Sequence, residues 1–141
     1  MKKISIALTI LILALIALSF YRLGTQANKA GITIEYNTET QFISLNKLNK
    51  IEHEKVVTTR DDKVFSGIKL VKILEKFPLE ELKSLTLSSI DGMSVAIQKD
   101  EFSQAYLCER QDGDNKFYQL VLINDAFGQR WLKYVNRVAL K

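Results

Sequence analysis

The sequence predicts an α+β domain preceded by one N-terminal hydrophobic helix, and three observations carry that prediction. Residues 4–21 contain no charged side chain. Beyond them, short runs with the two-residue apolar alternation of strands mix with stretches of helical spacing, without the regular strand–helix alternation of a doubly wound parallel sheet. The size is that of one domain: 141 residues, 47% hydrophobic and 26% charged, with one Pro, six Gly and one Cys. That composition excludes disordered, collagen-like and disulfide-scaffold classes, and it provides no Pro/Gly-rich linker and no internal disulfide.

The N-terminus reads Met1-Lys2-Lys3, then the uncharged run Ile4 to Tyr21, then Arg22. As a helix this run spans roughly 27 Å, the lower edge of what crosses a bilayer's hydrocarbon core. Residues 1–27 therefore read as a secretory signal peptide or a signal anchor. The run is slightly long for a cleaved signal, its best small-x-small site, Thr25-Gln26-Ala27, is weak, and no Cys follows to accept a lipid. Lys2 and Lys3 favour a cytoplasmic N-terminus. The domain over 28–141 is then expected on the periplasmic or extracellular side, exported or held as a single-pass membrane protein.

The net charge is +4, of which Lys2, Lys3 and Arg22 supply three. From Asn28 onward 17 basic residues meet 16 acidic ones, both signs interleaved, which argues against a phosphate-tracking face and against nucleic acid. The expected partners are the membrane, through the N-terminal helix, and a protein or small ligand outside the cytoplasm.

Along the exported chain, Ile32 to Tyr36 alternates as a strand, and Leu45, Leu48 and Ile51 have helical spacing behind Ser44 as N-cap. Lys55 to Thr59 is β-branched and strand-like, followed by a polar turn over Arg60 to Lys63. Leu70, Ile73, Leu74 and Phe77 predict a helix over 69–77, stopped by Pro78. Its apolar face is expected to pack with Leu85, Val95 and Val121. A helical turn is expected over 80–83. Ser84 to Ser89 and Met93 to Gln98 alternate around Asp91-Gly92, a hairpin signal. Lys99 to Gln104 reads as a loop or single helical turn, Ala105 to Glu109 as a strand, and Gln111 to Lys116 as a tight polar turn. Tyr118 to Ile123 reads as a strand covered on both faces, and one or two short strands over 131–140 end the chain.

Chemistry-bearing patterns are sparse. His53, alone of its kind, sits in Glu52-His53-Glu54-Lys55 and reads as a solvated surface residue. Asp112-Gly113-Asp114-Asn115 lacks the sixth-position Gly and twelfth-position Glu of a calcium loop and reads as a β-turn. The neighbouring acids Asp61-Asp62 and Glu80-Glu81 do not converge as a catalytic pair would. Trp131 and Tyr134 read as core aromatics and Cys108 as a buried apolar thiol. No phosphate-loop, dinucleotide or nucleophile-elbow motif occurs. The sequence assigns no catalytic residue and no metal ligand.

The order of segments ISLNKL, VVTT, VFSGIKLVKILEKF, LTLSSIDGMSVAIQKDEF, YQLVLIND and RWLKYVNRVAL, from Ile43 to Leu140, resembles the small single-domain relatives of the molybdopterin-binding domain of sulfite-oxidase-type oxidoreductases. Gly67, Leu70 and Leu74, Asp91-Gly92, and Trp131 with Arg137-Val138 stand at the matching places. The resemblance implies a mixed, barrel-like sheet domain with a few short helices. It also implies where chemistry would be: catalytic members place a Cys thiolate on molybdenum just before the Gly-x-x-Leu segment, where this chain has Thr58-Thr59-Arg60. A hydroxyl does not replace a soft thiolate. The expectation is a non-catalytic binding module with no cofactor, the alternative being a molybdopterin-binding or redox accessory protein. Thr59, Arg60 and Asp91 are the residues that would line the remnant of the pocket.

Overall fold

The computed structural model describes residues 2–59, 62–125 and 128–141, with the side chains of residues 2–7 and 22–29 left outside the description. Helix α1 (Lys2–Lys29) leads through Ala30 alone into β1 (Gly31–Tyr36). The described side chains of α1, residues 8–21, are exposed on every face. Among the described residues no helix is long and apolar enough to cross a membrane. A two-residue turn with Asn37 at φ 53° returns the chain as β2 (Glu39–Ser44). Ser44 then caps α2 (Leu45–Leu48), the Lys47 N–H donating to its Oγ at 3.4 Å, as the sequence predicts.

β3 (Glu54–Val57), β4 (Val64–Lys69) and the single turn of α3 (Leu70–Ile73) follow, then β5 (Ser84–Ser89), β6 (Ser94–Gln98), a 3-10 turn over Lys99–Gln104, β7 (Ala105–Asp112), β8 (Asn115–Leu122) and β9 (Val135–Leu140). The strands form two sheets, in the orders β2-β1-β9-β5-β6 and β3-β4-β7-β8. All neighbours are antiparallel except β1 and β9, which run parallel. The protein is thus α+β, with one mixed and one antiparallel sheet and few short helices.

One hydrophobic core draws on both sheets: Ile32, Ile34, Leu85, Leu87, Ile97 and Val138 from the five-stranded one, Ile68, Leu107, Leu120 and Leu122 from the other, with Leu70 and Leu74 between them. Strand β8 is buried continuously from Tyr118 to Leu122 because the outer face of its sheet carries a second cluster. Val56, Phe65, Tyr106, Cys108 and Val121 form it, with Ile123 and Trp131 packed against it. Val121 therefore does not join Leu74 as the sequence suggests; the pleat turns it to the opposite face. Trp131 meets Phe65 edge-on at 5.6 Å and donates Nε1–H to the Leu122 carbonyl at 3.3 Å. Arg130 beside it grips both oxygens of Glu101, at 2.7 and 3.1 Å.

The helix expected over 69–77 is much shorter. Lys69 is taken by the ladder, opposite Tyr106, and Pro78 bars continuation, which leaves room for one α turn. The Leu74 and Phe77 amides extend it, donating to Leu70 and Leu74 carbonyls at 3.1 and 2.9 Å. The phase survives: Leu70, Ile73 and Leu74 are buried and Phe77 half-buried. Strands β2 and β4 lie where no element is expected. β2 is an edge strand whose first four residues are exposed on both faces, so it has no alternation to read.

Gly67 faces the second cluster, and a Cβ there would stand 2.7 Å from Cys108 Sγ and 3.3 Å from a Val56 methyl. Cys108 is fully buried, and that burial pushes its thiol up to about 12, against a lowering influence from Arg110. Leu74→Ala is expected to lower stability by roughly 2–5 kcal/mol in chemical denaturation and Lys72→Ala far less; equal losses would reject the assigned face. Gly67→Ala is expected to cost roughly 1–3 kcal/mol by overpacking. Combined with Cys108→Ala it should cost less than the sum of the two single changes, the sign of a direct steric contact in a double-mutant cycle.

Candidate functional site

Of the residues expected to line a pocket, Thr59 follows β3 of the four-stranded sheet and Asp91 lies in the β5–β6 turn of the five-stranded one. Thr59 is exposed and tied down locally, its Oγ1–H donating to the Ile123 carbonyl at 3.1 Å. Asp91 is exposed in the β5–β6 turn of the other sheet, where its carboxylate accepts from Ser89 Oγ. Arg60 lies outside the described residues. Thr58, at the place the resemblance gives to the molybdenum ligand, is 2% exposed, and its Oγ1 has no hydrogen-bond partner among the described residues. Cys108, the one thiol, is enclosed in the second cluster and held protonated. A donor set of threonine hydroxyls with a buried, protonated thiol does not fit molybdenum, which takes a thiolate.

The built hollow lies elsewhere, between α2, the start of β8 and the start of β9. Two adjoining recesses, of about 170 and 290 Å³, share Leu45, Lys116, Phe117 and Tyr118. Asn46 and Asn49 from α2 and Glu109 from β7 border the smaller one; Thr33, Phe42, Ile90, Tyr134 and Asn136 border the larger. Tyr134 adopts φ 55°, a left-handed conformation that costs a residue with a Cβ of order 1–3 kcal/mol. From there its ring lies 4.2 Å from Phe117, its hydroxyl donates to Asp112 at 3.3 Å, and its carbonyl accepts the Ile90 N–H at 3.2 Å. The strain thus goes into one wall of the cleft.

Two polar features give the cleft chemical character. Asn136 Oδ1 is buried with no partner among the described residues, an acceptor whose desolvation is uncompensated. Behind the cleft, Tyr118 Oη donates to Asn49 Oδ1 at 2.8 Å and lies 3.3 Å from His53 Nε2, while His53 Nδ1 lies 2.8 Å from the Ile51 carbonyl. With the Tyr118 proton on Asn49, the contact to His53 is a hydrogen bond only when Nε2 carries a proton. Burial, reinforced by Glu109, pushes the Tyr118 phenol up, so it stays a donor. His53 is therefore half-buried in a polar relay and not the solvated residue the sequence suggests. Its partners are the Tyr118 phenol and the Ile51 carbonyl. Lys116, paired with Glu109 at 3.1 Å, supplies the cation at the mouth.

Among the described residues no three His, Cys, Asp or Glu side chains group to hold a metal. The chain matches no protein-family model and no curated protein. Sequence reading misses the cleft because its walls come from segments far apart in the chain; Tyr118 reads only as core and Asn136 carries no motif. Tyr118→Phe is expected to cost roughly 0.5–1.5 kcal/mol in thermal unfolding, since it strands Asn49 and His53 together. An unchanged stability would show the relay to be energetically empty.

Proposed function

We propose that the chain is a non-catalytic binding module, tethered by its N-terminal helix, with the domain from Asn28 onward outside the cytoplasm and the α2–β8–β9 cleft receiving a protein partner or small ligand. The observation that carries it is the cleft: the rings of Phe42, Phe117 and Tyr134, Lys116 at the mouth and Asn136 in the lining form a recess of contact-making groups. The uncharged run Ile4 to Tyr21 behind Lys2 and Lys3 supports the tether and the address. The order of segments supports a degenerate molybdopterin-domain fold, and the hydroxyls at Thr58 and Thr59 support the loss of its chemistry.

A reporter active only in the cytoplasm, fused after Lys141, is expected to be silent, and full activity would overturn the address. Protein made in a host that synthesises the cofactor is expected to lack stoichiometric molybdenum and pterin fluorescence; finding either at one equivalent would replace this reading with the cofactor-binding one. Crosslinking in native membranes is expected to capture a partner that Asn136→Leu with Phe117→Ala loses at unchanged unfolding temperature. Capture that is indifferent to both changes would remove the cleft from the proposal.

A further inference from the structure

The register of the five-stranded sheet decides which strand ends lie together. β9 runs parallel to β1 with Thr33 opposite Arg137, and β5 runs antiparallel to β9 with Ser89 opposite Val135. The β5–β6 turn therefore leaves the sheet at the end where α1 enters it. That turn carries Ile90 at 73% and Met93 at 62% exposure. Outside α1, the exposed large apolar side chains among the described residues are Phe42, Val57, Val64, Ile90 and Met93. Val57 and Val64 oppose each other in the β3–β4 ladder. Phe42, opposite Thr33, stands at the α1 end and borders the same recess as Ile90, Ala30 and Gly31. Most of the domain's exposed apolar bulk is thus gathered at the end from which the apolar helix departs. Scattered single residues would need no explanation, whereas a gathered patch does.

We propose that this end of the domain seats on the surface of the phospholipid bilayer that α1 enters, with Ile90, Met93 and Phe42 reaching into the interfacial layer. The inference rests on the reading of α1 as a membrane anchor. The junction favours contact over stand-off: Ala30 alone separates α1 from β1, and its carbonyl accepts the Leu45 N–H at 3.0 Å, which pins the exit to α2. Residues 22–29 continue α1 beyond the uncharged run by roughly 12 Å of helix, a short spacer that keeps the domain within reach of the surface. The charges at this end are mixed and mostly paired: Lys116 borders the recess and pairs with Glu109 at 3.1 Å, Asp112 accepts from Tyr134, and the Asp91 carboxylate accepts from Ser89 on its own strand. Aliphatic and aromatic tips beside a lysine are the composition of an interfacial contact.

The test uses the full chain reconstituted in mixed phosphatidylcholine and phosphatidylglycerol vesicles, with a polarity-sensitive fluorophore on an introduced cysteine and lipid quenchers placed at acyl-chain depth for the Leu15 site and at headgroup depth for the other sites. Cys108 is fully buried and does not compete for the label. Three sites are compared: Leu15→Cys in α1, Ile90→Cys in the turn, and Thr38→Cys in the β1–β2 turn at the opposite end of the sheet. The expected result is loss of emission at the Leu15 and Ile90 sites with emission kept at Thr38. Loss at Leu15 alone, with the Ile90 label open to an aqueous quencher, overturns the seating and leaves the anchor standing. A label at Ile90 shielded from lipid and water quenchers alike assigns the face to a second chain and also overturns it. Emission kept at Leu15 removes the anchor, and the inference falls with it. Ile90→Ser with Met93→Ser, both exposed, should keep the unfolding transition while a label at Asp91→Cys becomes open to water; a label that stays quenched would show that these side chains do not hold the contact.

Discussion

The insertion of β9 between β1 and β5 is the constraint on which the rest of the structure depends. Ile34, Val138 and Leu87 form one cross-strand row, since Ile34 and Leu87 both oppose Val138, and all three are fully buried. Burying each such side chain is worth roughly 1.5–3 kcal/mol, and the row exists only when strands from opposite ends of the domain have met. Such a pairing is non-local, so loop-closure entropy is spent before the contact rewards it. The chain between β1 and β9 is not idle: it folds into the four-stranded sheet whose inner face, through Leu107, Leu120 and Leu122, closes the same core. The start of β9 also delivers Asn136 and, just before it, Tyr134 to the cleft. Core and cleft are therefore set by one strand.

The outer face of the four-stranded sheet presents a different problem, because Cys108, Val121 and Val56 would lie open there. The segment before β9 covers them with Trp131, and the grip of Arg130 on Glu101 holds that segment in place. A guanidinium on both oxygens of a carboxylate is the geometry in which an ion pair contributes most, although Arg130 is exposed enough for solvent to screen much of it. The Arg130 hydrogen bond is the main reason the Glu101 carboxyl is held below its ordinary value, opposed by desolvation. Its contribution is present above the usual carboxylate range and fades as pH falls through the lowered value. Gly67 is needed under this cover, since any Cβ would collide with the Cys108 sulfur.

What the sequence made legible were features decided by adjacent residues. Asp91-Gly92 marks its hairpin because Gly92 takes φ 85°, Ser44 caps because its hydroxyl reaches an amide three residues on, and Tyr118 to Leu122 is apolar throughout because both faces are covered. What stayed hidden was decided by tertiary partners. Lys69 has helical company in sequence but a strand partner in space; β2 is exposed on both faces over most of its length and shows no period; Val121 differs from Leu120 only in which side of the pleat it takes. The cleft was not legible at all. Leu45, Lys116 and Asn136 stand in three different stretches of chain, and only the topology makes them neighbours. The candidates Thr59 and Asp91 came from a resemblance in the order of segments, which carries information about the fold more than about a site.

The same geometry links the cleft to the junction with α1. Gly31 stands where the chain leaves the helix, and a Cβ there would collide with the Ile43 carbonyl oxygen and stand 2.7 Å from the Phe42 ring. Two backbones and an aromatic ring are thus closed on one another at the exit of α1, and Ala30 and Gly31 are themselves part of the cleft wall. The exit of α1 and the Phe42 side of the recess are therefore one closely packed unit. On the other side Tyr118 belongs at once to the cleft, the core and the His53 relay. The Asn49 and Tyr118 oxygens are already engaged in hydrogen bonds that the folded core uses, whereas Asn136 Oδ1 is buried without a partner among the described residues, so displacing the relay costs bonds that the fold has made.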